Sequence, residues 1–263
     1  MISNAAQIKE FLETSVWRKL KYFILGRLFS RNLNMLAKIY KSDKSDRPGS
    51  HAYTKHYSKY FHELRHKKLK ILEIGVGGYE SLQKGGASLR MWKRYFTKSM
   101  IYSIDIYDKS ALCENRIKIF QGSQADDVFL KDVGSKIGPL DIIIDDGSHV
   151  VSHVLATFKT LFPLLNDGGI YVIEDIQTFY WPNFGGNSEN LDDPRISMNF
   201  FKSLADGLNY SEFLKPNYIP SYFDKNIVSV HFYHNLIFIF KGNNNETSNM
   251  VENGKFRGQT ISG

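Results

Sequence analysis

Three apolar runs in the middle of this chain each break into acidic residues or glycines. The breaks lie at residues 73–78 (EIGVGG), 145–149 (DDGSH) and 174–175 (ED). Such a break marks the end of a buried strand, and in a parallel sheet covered by helices ligands bind at the carboxyl ends of the strands. The pattern therefore predicts an α/β protein whose polar chemistry is gathered at one edge of its sheet.

Strand-like and helix-like segments alternate from residue 70 onward. Predicted strands are 71–74, 100–106, 117–120, 140–144 and 170–173, and predicted helices include 87–96 and 150–165. This alternation favours a mostly parallel sheet flanked by helices. The end of the chain differs, because 227–233 and 236–240 flank His234-Asn235 and predict an antiparallel hairpin. The predicted fold class is α/β with a C-terminal hairpin.

The N-terminal part of the chain is basic. Residues 1–70 hold 16 Lys/Arg against 5 Asp/Glu, in a chain whose net charge is +7. This asymmetry is typical of a solvated helical surface or of a surface for an anionic partner. Residues 1–40 contain no proline and one glycine, Gly26, which indicates one or two helices.

These features divide the chain into three predicted parts. Residues 1–45 form a short helical extension for packing or oligomerisation, and the turn-rich segment 41–50 serves as a linker. Residues 46–242 form the main domain. Residues 243–263 form a polar, flexible tail.

The cysteine content and the hydrophobic segments of the chain indicate the cellular compartment in which it acts. The single cysteine, Cys113, excludes an intrachain disulfide, and the paired Cys/His spacing of a zinc site is missing. No segment approaches the roughly 18 apolar residues that a membrane-spanning helix needs. The N-terminus lacks the pattern of a secretory signal. We therefore expect a cytoplasmic protein.

The segment Glu73-x-Gly75-x-Gly77-Gly78 predicts a cofactor loop. Glycines after a strand let the backbone approach a ligand closely. The dinucleotide fingerprint G-x-G-x-x-G is not matched, because Glu80 stands at its last position. Glu73 suits a ligand with an amine and ribose hydroxyls better than a pyrophosphate. The loop therefore favours S-adenosylmethionine over NAD.

Other strand ends carry side chains for the same ligand. Asp105 ends the second predicted strand and could accept hydrogen bonds from ribose hydroxyls. The third strand leads into Gln124, Ala125 and Asp126, where we expect the adenine edge. Successive strand residues face opposite sides, so we assign Asp145 to the methionine side of the cofactor and Asp146 to the other side.

Asp146, Glu174 and Asp175 are predicted to hold one metal ion. They follow the fourth and fifth strands, which are neighbours in this topology, and converging carboxylates repel each other unless a cation compensates. Oxygen ligands select Mg²⁺ or a similar hard ion. His149, three residues after Asp146, is the candidate general base for an acceptor hydroxyl.

Together these residues resemble the metal-dependent sugar O-methyltransferases of macrolide biosynthesis, the mycinamicin and macrocin O-methyltransferases. The resemblance runs from about Lys38 to Gly242 and is most specific at 145–149 and 174–175. It implies a Rossmann-like class I methyltransferase fold, S-adenosylmethionine as donor, Mg²⁺, and a deoxysugar hydroxyl as acceptor. Position by position it implies the same metal ligands and the same base.

Two further segments are candidates for ligand contact. Residues 50–57 (SHAYTKHY) resemble a segment that folds over cofactor and acceptor, which implies that Tyr53 lies near the cofactor and His51 and Tyr57 near the substrate. After the fifth strand, residues 177–187 (QTFYWPNFGGN) offer Tyr180 and Trp181 for stacking on a sugar, and the glycines would permit a closing lid.

The predicted function is that of an S-adenosylmethionine-dependent O-methyltransferase. It would methylate, with Mg²⁺, a sugar hydroxyl on a natural product or glycan, as in antibiotic biosynthesis. Alternatives are a non-sugar acceptor (a phenol, a catechol or RNA) and a non-catalytic cofactor-binding assembly subunit. Expected partners are the glycosylated substrate and further copies of the chain. Nucleic acid is not expected, because no RNA-binding module is recognised.

Overall fold

A computed structural model describes residues 15–191 and 197–257 of the chain. The helices are α1 (Ser15–Leu28), α2 (Leu33–Tyr40), α3 (Thr54–Phe61), α4 (Ala87–Tyr95), α5 (Asp127–Ile137), α6 (Val151–Leu161), α7 (Ser197–Gly207) and α8 (Tyr222–Asn226). The strands are β1 (Lys70–Ile74), β2 (Met100–Asp105), β3 (Ile117–Gln121), β4 (Leu140–Asp145), β5 (Leu165–Glu174), β6 (Ile227–Tyr233), β7 (Leu236–Lys241), β8 (Val251–Glu252) and β9 (Lys255–Phe256).

Seven of these strands form one sheet in the order β3-β2-β1-β4-β5-β7-β6. Strand β4 pairs in parallel with β1 and with β5. Strand β7 is antiparallel to β5 and to β6, so it closes the sheet with the hairpin that the sequence predicts. The predicted α/β class, with a C-terminal antiparallel hairpin, is confirmed.

The described residues cluster into two compact units. The first contains the described residues up to Leu69 together with Val76–Ser103 and Tyr107–Phe120. The second contains Lys70–Gly75, Ile104–Ile106 and the described residues from Gln121 onward. All described residues after the third strand therefore belong to the second unit.

The core of the first unit is aromatic. The ring of Trp92 on α4 lies 5.0 Å from that of Tyr57 and 5.9 Å from that of Phe61, both on α3. The guanidinium of Arg116 donates to the backbone carbonyls of Lys93, Phe96 and Ser99 at 2.8 to 2.9 Å. These contacts bind the end of α4 to the start of β3.

The core of the second unit is built on three neighbouring strands. Residues 142–144 of β4, 171–173 of β5 and 237–239 of β7 are fully buried. Such continuous apolar runs are typical of strands in the interior of a sheet. The polar residues that follow β4 and β5 are thereby fixed to a rigid platform.

Three segments differ from the sequence-based expectation in detail. The predicted helix 150–165 ends at Leu161, because Pro163 lies in a 3₁₀ turn that leads into an early start of β5. Ser42, Lys44 and Ser45, in the segment expected to be a linker, are buried. The segment expected to be a tail contains β8 and β9, which pair with each other.

The N-terminal helical prediction is met by α1 and α2 within the described residues, and residues 1–14 lie outside them. Helix α2 is capped at its N-terminus by Asn32, whose side chain accepts from the backbone N–H of Met35 at 2.9 Å. Across the described part of the chain, no helix has both the length and the apolar character that crossing a membrane requires.

Candidate active site

The candidate site begins where β4 and β5 end. Their parallel register pairs Asp145 with Ile173. Asp146, directly after β4, therefore lies level with Glu174, the last residue of β5. The backbone N–H of Asp146 donates to the carbonyl of Ile74, the last residue of β1, at 3.1 Å. The ends of three neighbouring strands therefore fix this edge.

Asp146, His149 and Asp175 converge at this edge. Nε2 of His149 lies 3.7 Å from Oδ2 of Asp175 and 3.9 Å from Oδ1 of Asp146. One potential ligand atom from each of the three residues lies within 4.8 Å of those of the other two. All three side chains are partly exposed, which leaves them accessible to a ligand.

Two of these residues have an unusual backbone conformation. His149 has φ of 56° and Asp175 has φ of 55°, both in the left-handed region that residues other than glycine rarely adopt. Non-glycine residues held there cost free energy and cluster at functional sites. In both cases the chain turns sharply just after a strand, and this turn brings the side chain into the cluster.

The donor set suits a hard divalent cation. The two carboxylates offer the oxygen ligands that Mg²⁺ and similar hard ions prefer, whereas an imidazole is preferred by softer ions such as Zn²⁺. Glu174, also predicted as a ligand, is buried and is not part of the three-residue group. Its role as a ligand therefore stays a prediction.

Asp145 is buried directly behind the cluster. Burial, the largest effect, raises the pKa of its carboxyl to about 7; a hydrogen bond from Gln124 lowers the pKa, and the charge of Asp146 raises it. Tyr171, buried beside it, has a pKa well above the usual value, because of its own burial and the charge of Asp145. The predicted contact of Asp145 with the cofactor remains a prediction.

Gln124 links Asp145 to the segment that carries His149. Its Nε2 donates to Oδ1 of Asp145 at 3.2 Å, and its Oε1 accepts from the backbone N–H of Ser148 at 2.6 Å. Nε2 also donates to the hydroxyl of Thr157 at 3.2 Å. The sequence gives no signal for this network, because its members lie far apart along the chain.

Other predicted cofactor residues of the second unit are placed as follows. Glu73 is fully buried on β1. Asp105 ends β2, and its carbonyl accepts from the N–H of Gly122 at 2.9 Å. Asp126 caps helix α5, because Oδ1 accepts from two backbone N–H groups, and Ala125 beside it is exposed. These four assignments also stay predictions.

The predicted glycine loop continues into the first unit. Gly77 and Gly78 have φ of 72° and 81°, so this turn depends on glycine. The ammonium of the buried Lys109 donates to the carbonyls of Tyr79 at 2.5 Å and of Ser81 at 2.8 Å. Sequence reasoning missed Lys109, because its partners are backbone carbonyls, which leave no mark in the sequence.

The upstream candidates also lie in the first unit. Tyr53 is buried and stacks on the ring of His51, with centroids 5.1 Å apart and an interplanar angle of 20°. Tyr57 is fully buried in the aromatic core beside Trp92. The exposed His51 is thus the most accessible of these three side chains.

The aromatic loop after β5 belongs to the second unit. Tyr180 is half-buried, and Trp181 is 48% exposed with its ring 6.0 Å from that of Phe184. A Cβ atom on Gly186 would lie 2.4 Å from the carbonyl of Phe179, so this glycine permits a close turn of the loop. Trp181 therefore offers an accessible ring face, as sugar stacking requires.

Comparison with known proteins gives several close relatives, although no family model matches. The chain is 47% identical over 197 residues to the mycinamicin VI 2''-O-methyltransferase of Micromonospora griseorubida, covering 74% of this chain and 49% of that protein. It is 44% identical over 219 residues to the 8-demethyl-8-alpha-L-rhamnosyl tetracenomycin-C 2'-O-methyltransferase of Streptomyces olivaceus, covering 83% and 57%.

A solved structure gives the same relationship. The MycE methyltransferase from the mycinamycin biosynthetic pathway, in complex with Mg, SAH and mycinamycin VI, superposes with a TM-score of 0.78 and 44% identity. The match covers 82% of this chain and 55% of that one. The chain thus spans about half the length of the relatives it matches. The predicted resemblance and the class I methyltransferase fold are confirmed.

Proposed function

We propose that this chain, a relative of the sugar O-methyltransferases with their class I fold, transfers a methyl group from S-adenosylmethionine to a sugar hydroxyl. The relatives are named for methylation of sugars on antibiotics, which favours a sugar carried by a natural product. The observation that carries the proposal is the convergence of Asp146, His149 and Asp175 at the end of the parallel strands.

The chemistry follows from this convergence. The acceptor oxygen attacks the methyl carbon, the bond from that carbon to the sulfonium sulfur breaks, and the hydroxyl proton must leave. His149 can take that proton through Nε2, which points toward the two carboxylates. A divalent cation, when bound, would lower the pKa of the hydroxyl and favour loss of its proton. Asp146 and Asp175, with Glu174 as predicted, would hold that cation.

His149 has two possible roles in this arrangement, because its Nε2 is close enough to the carboxylates to be a metal ligand itself. We propose that it is the base. His149→Ala should then abolish methyl transfer, while the affinity for Mn²⁺, measured by electron paramagnetic resonance, stays within about threefold of the wild type. A loss of Mn²⁺ affinity of about tenfold or more would instead show that His149 takes part in metal binding, as a ligand or by orienting one.

The decisive assay measures release of S-adenosylhomocysteine over a panel of acceptors. The panel contains nucleotide-linked, antibiotic-linked and polymeric deoxysugars, with a catechol and an RNA as the other acceptor classes. We expect turnover with one sugar class only, and only with a divalent cation such as Mg²⁺ present. Turnover confined to the catechol or the RNA would contradict the sugar assignment. Cofactor binding without turnover on any acceptor would favour an assembly subunit.

Assembly and location follow as secondary proposals. We infer that the chain forms homo-oligomers and acts in the cytoplasm. The exposed Leu20, Phe23 and Leu28 on α1 support association through this helix. Light scattering of the wild type and of a Phe23→Ser, Leu28→Ser variant tests this point, because a monomeric wild type would contradict it.

A further inference from the structure

Gln124 occupies a buried position behind the candidate active site. It follows β3 and is 7% exposed. Both ends of the carboxamide are engaged within the protein: Nε2 donates to Asp145 and Thr157, and Oε1 accepts from the N–H of Ser148. A side chain engaged in this way has little freedom to meet a cofactor.

The partners of Gln124 lie on both sides of Asp146. Asp145 precedes it, and Ser148 follows two residues later. Between them, a Cβ atom on Gly147 would lie 2.0 Å from Oε1 of Gln124, so the carboxamide lies directly against this glycine. Gln124 therefore contacts the segment at three of the four residues 145–148.

The segment held by Gln124 ends in a strained residue. His149 follows Ser148 directly and has the left-handed backbone conformation, with φ of 56°. Such a conformation persists only where the surroundings over-determine it. The Ser148 hydroxyl is a second anchor of this segment, because it lies 3.0 Å from Nδ1 of His153 and accepts from the backbone N–H of Val150 at 3.3 Å.

We propose that Gln124 is a positioning residue for the candidate metal and base site. Its carboxamide fixes the Asp145 side chain and the Ser148 peptide, and thereby sets where the Asp146 carboxylate and the His149 imidazole point. This inference rests on the proposed function of the site. It differs from the expectation that Gln124 contacts the adenine edge of the cofactor, because the two roles affect different ligands.

The support for Gln124 itself comes from Thr157 on α6. The Thr157 hydroxyl is fully buried, accepts from Nε2 of Gln124, and lies 3.0 Å from the carbonyl oxygen of the same glutamine. It also lies 2.8 Å from the carbonyl oxygen of His153, one turn earlier on the helix. Helix α6 therefore supports the glutamine, which supports the 145–149 segment.

The test compares Gln124→Met with Gln121→Met, an exposed glutamine on the preceding strand. Three quantities are measured on purified full-length chain: affinity for Mn²⁺, affinity for S-adenosylhomocysteine, and amide hydrogen exchange of residues 145–150 without metal. For Gln124→Met we expect about tenfold weaker Mn²⁺ binding or more, faster exchange, and cofactor affinity within about threefold. Gln121→Met should behave as wild type.

Two results would overturn the inference. One is unchanged Mn²⁺ affinity and exchange in Gln124→Met; the other is a loss confined to S-adenosylhomocysteine, which would make Gln124 a cofactor contact. If Gln124→Met does not fold, Thr157→Val serves as the test instead. We expect it to show the same changes in Mn²⁺ affinity and hydrogen exchange, but smaller ones. No change in Thr157→Val would refute the positioning role of Gln124. The amide hydrogen exchange experiment needs neither metal nor acceptor. If the wild type shows no methyl transfer, the proposed function is refuted, but hydrogen exchange of residues 145–150 still tests the role of Gln124.

Discussion

The carbonyl oxygen of Asp146 lies directly against the α-carbon of Gly75. A Cβ atom built on Gly75 would come within 2.2 Å of that oxygen, a distance that no real Cβ contact tolerates. The glycine after β1 therefore has a second purpose besides turning the chain. It makes room for the backbone of a candidate metal ligand that directly follows the neighbouring strand.

We expect Gly75→Ala to displace Asp146 and so to weaken metal binding and methyl transfer. Gly77→Ala is the matched control, because Gly77 also has a positive φ but a Cβ atom there meets nothing within 4 Å. The control should lose about 1–2 kcal/mol of stability from backbone strain and keep its Mn²⁺ affinity. Mn²⁺ titration and thermal melting of both variants separate the two effects. Equal Mn²⁺ affinities would show that the close approach does not matter.

Asp146→Asn should reduce kcat by about a hundredfold or more, because a neutral amide holds a divalent cation poorly and leaves the proton transfer unsupported. The affinity for S-adenosylhomocysteine should change by less than about threefold. The exposed Asp167, at a turn early in β5, supplies the control substitution Asp167→Asn. Steady-state kinetics and calorimetry measure the two quantities. Full turnover in Asp146→Asn would exclude this residue from the site.

Metal removal should abolish methyl transfer reversibly. After treatment with EDTA and desalting, we expect activity to return with Mg²⁺ and with Mn²⁺. Because a ligand that binds the folded state alone stabilises it, the melting temperature should rise with metal concentration. Differential scanning fluorimetry of the wild type and of Asp146→Asn tests this, with a metal-dependent shift expected in the wild type alone.

Asp145→Asn should make the metal-free protein more stable at about pH 8 than the wild type. Burial raises the pKa of this carboxyl from the ordinary 3.8 to about 7, so the folded protein binds the proton more tightly than the unfolded chain. The free energy of unfolding of the wild type therefore falls as pH rises through this range, by on the order of a few kcal/mol. The asparagine removes that loss.

The stability advantage of Asp145→Asn should shrink toward about pH 4. There the Asp145 carboxyl of the wild type becomes protonated in the unfolded chain as well as in the folded protein. Urea unfolding at several pH values measures this difference. Asp206→Asn, at an exposed position on α7, serves as the control for a general charge effect. A stability difference independent of pH would show that the Asp145 carboxyl is not neutralised by burial.

Lys109→Met should loosen the glycine-rich loop of the first unit. The ammonium of Lys109 donates to three backbone carbonyls between residues 79 and 84, and methionine leaves these without that donor. We expect the free energy of unfolding to fall by about 1–3 kcal/mol and S-adenosylhomocysteine to bind more weakly. Lys118→Met, exposed on β3, is the control. Unchanged cofactor affinity in Lys109→Met would separate this loop from cofactor binding.

Much of the fold and part of the site were predictable from local sequence. Each predicted strand is present, because a buried apolar run bounded by turn residues has few alternatives in a parallel sheet. The site residues Asp146, His149 and Asp175 were also predictable. Each follows the end of a strand, and the strand order of this fold places those two strands side by side. Their convergence confirms that they share one edge.

The sequence did not predict which of the polar residues at the strand ends are buried. Gln124 and Asp145 were predicted as cofactor residues from their position after strands, yet the structure buries both and joins them to each other. Glu174, predicted as a ligand beside Asp175, is likewise buried. Position after a strand specifies the edge of the sheet, whereas burial depends on side chains that arrive from distant parts of the chain.

Local sequence was enough to specify the α/β architecture and the residue types gathered at the strand ends, because hydrophobic periodicity and turn residues act over a few positions. The tertiary structure alone decided that Gly75 makes room for Asp146, that His149 and Asp175 adopt left-handed conformations, and that Gln124 holds the peptide of Ser148. These relations depend on distances of a few ångströms between residues up to 71 positions apart. Only packing of the completed sheet sets such distances.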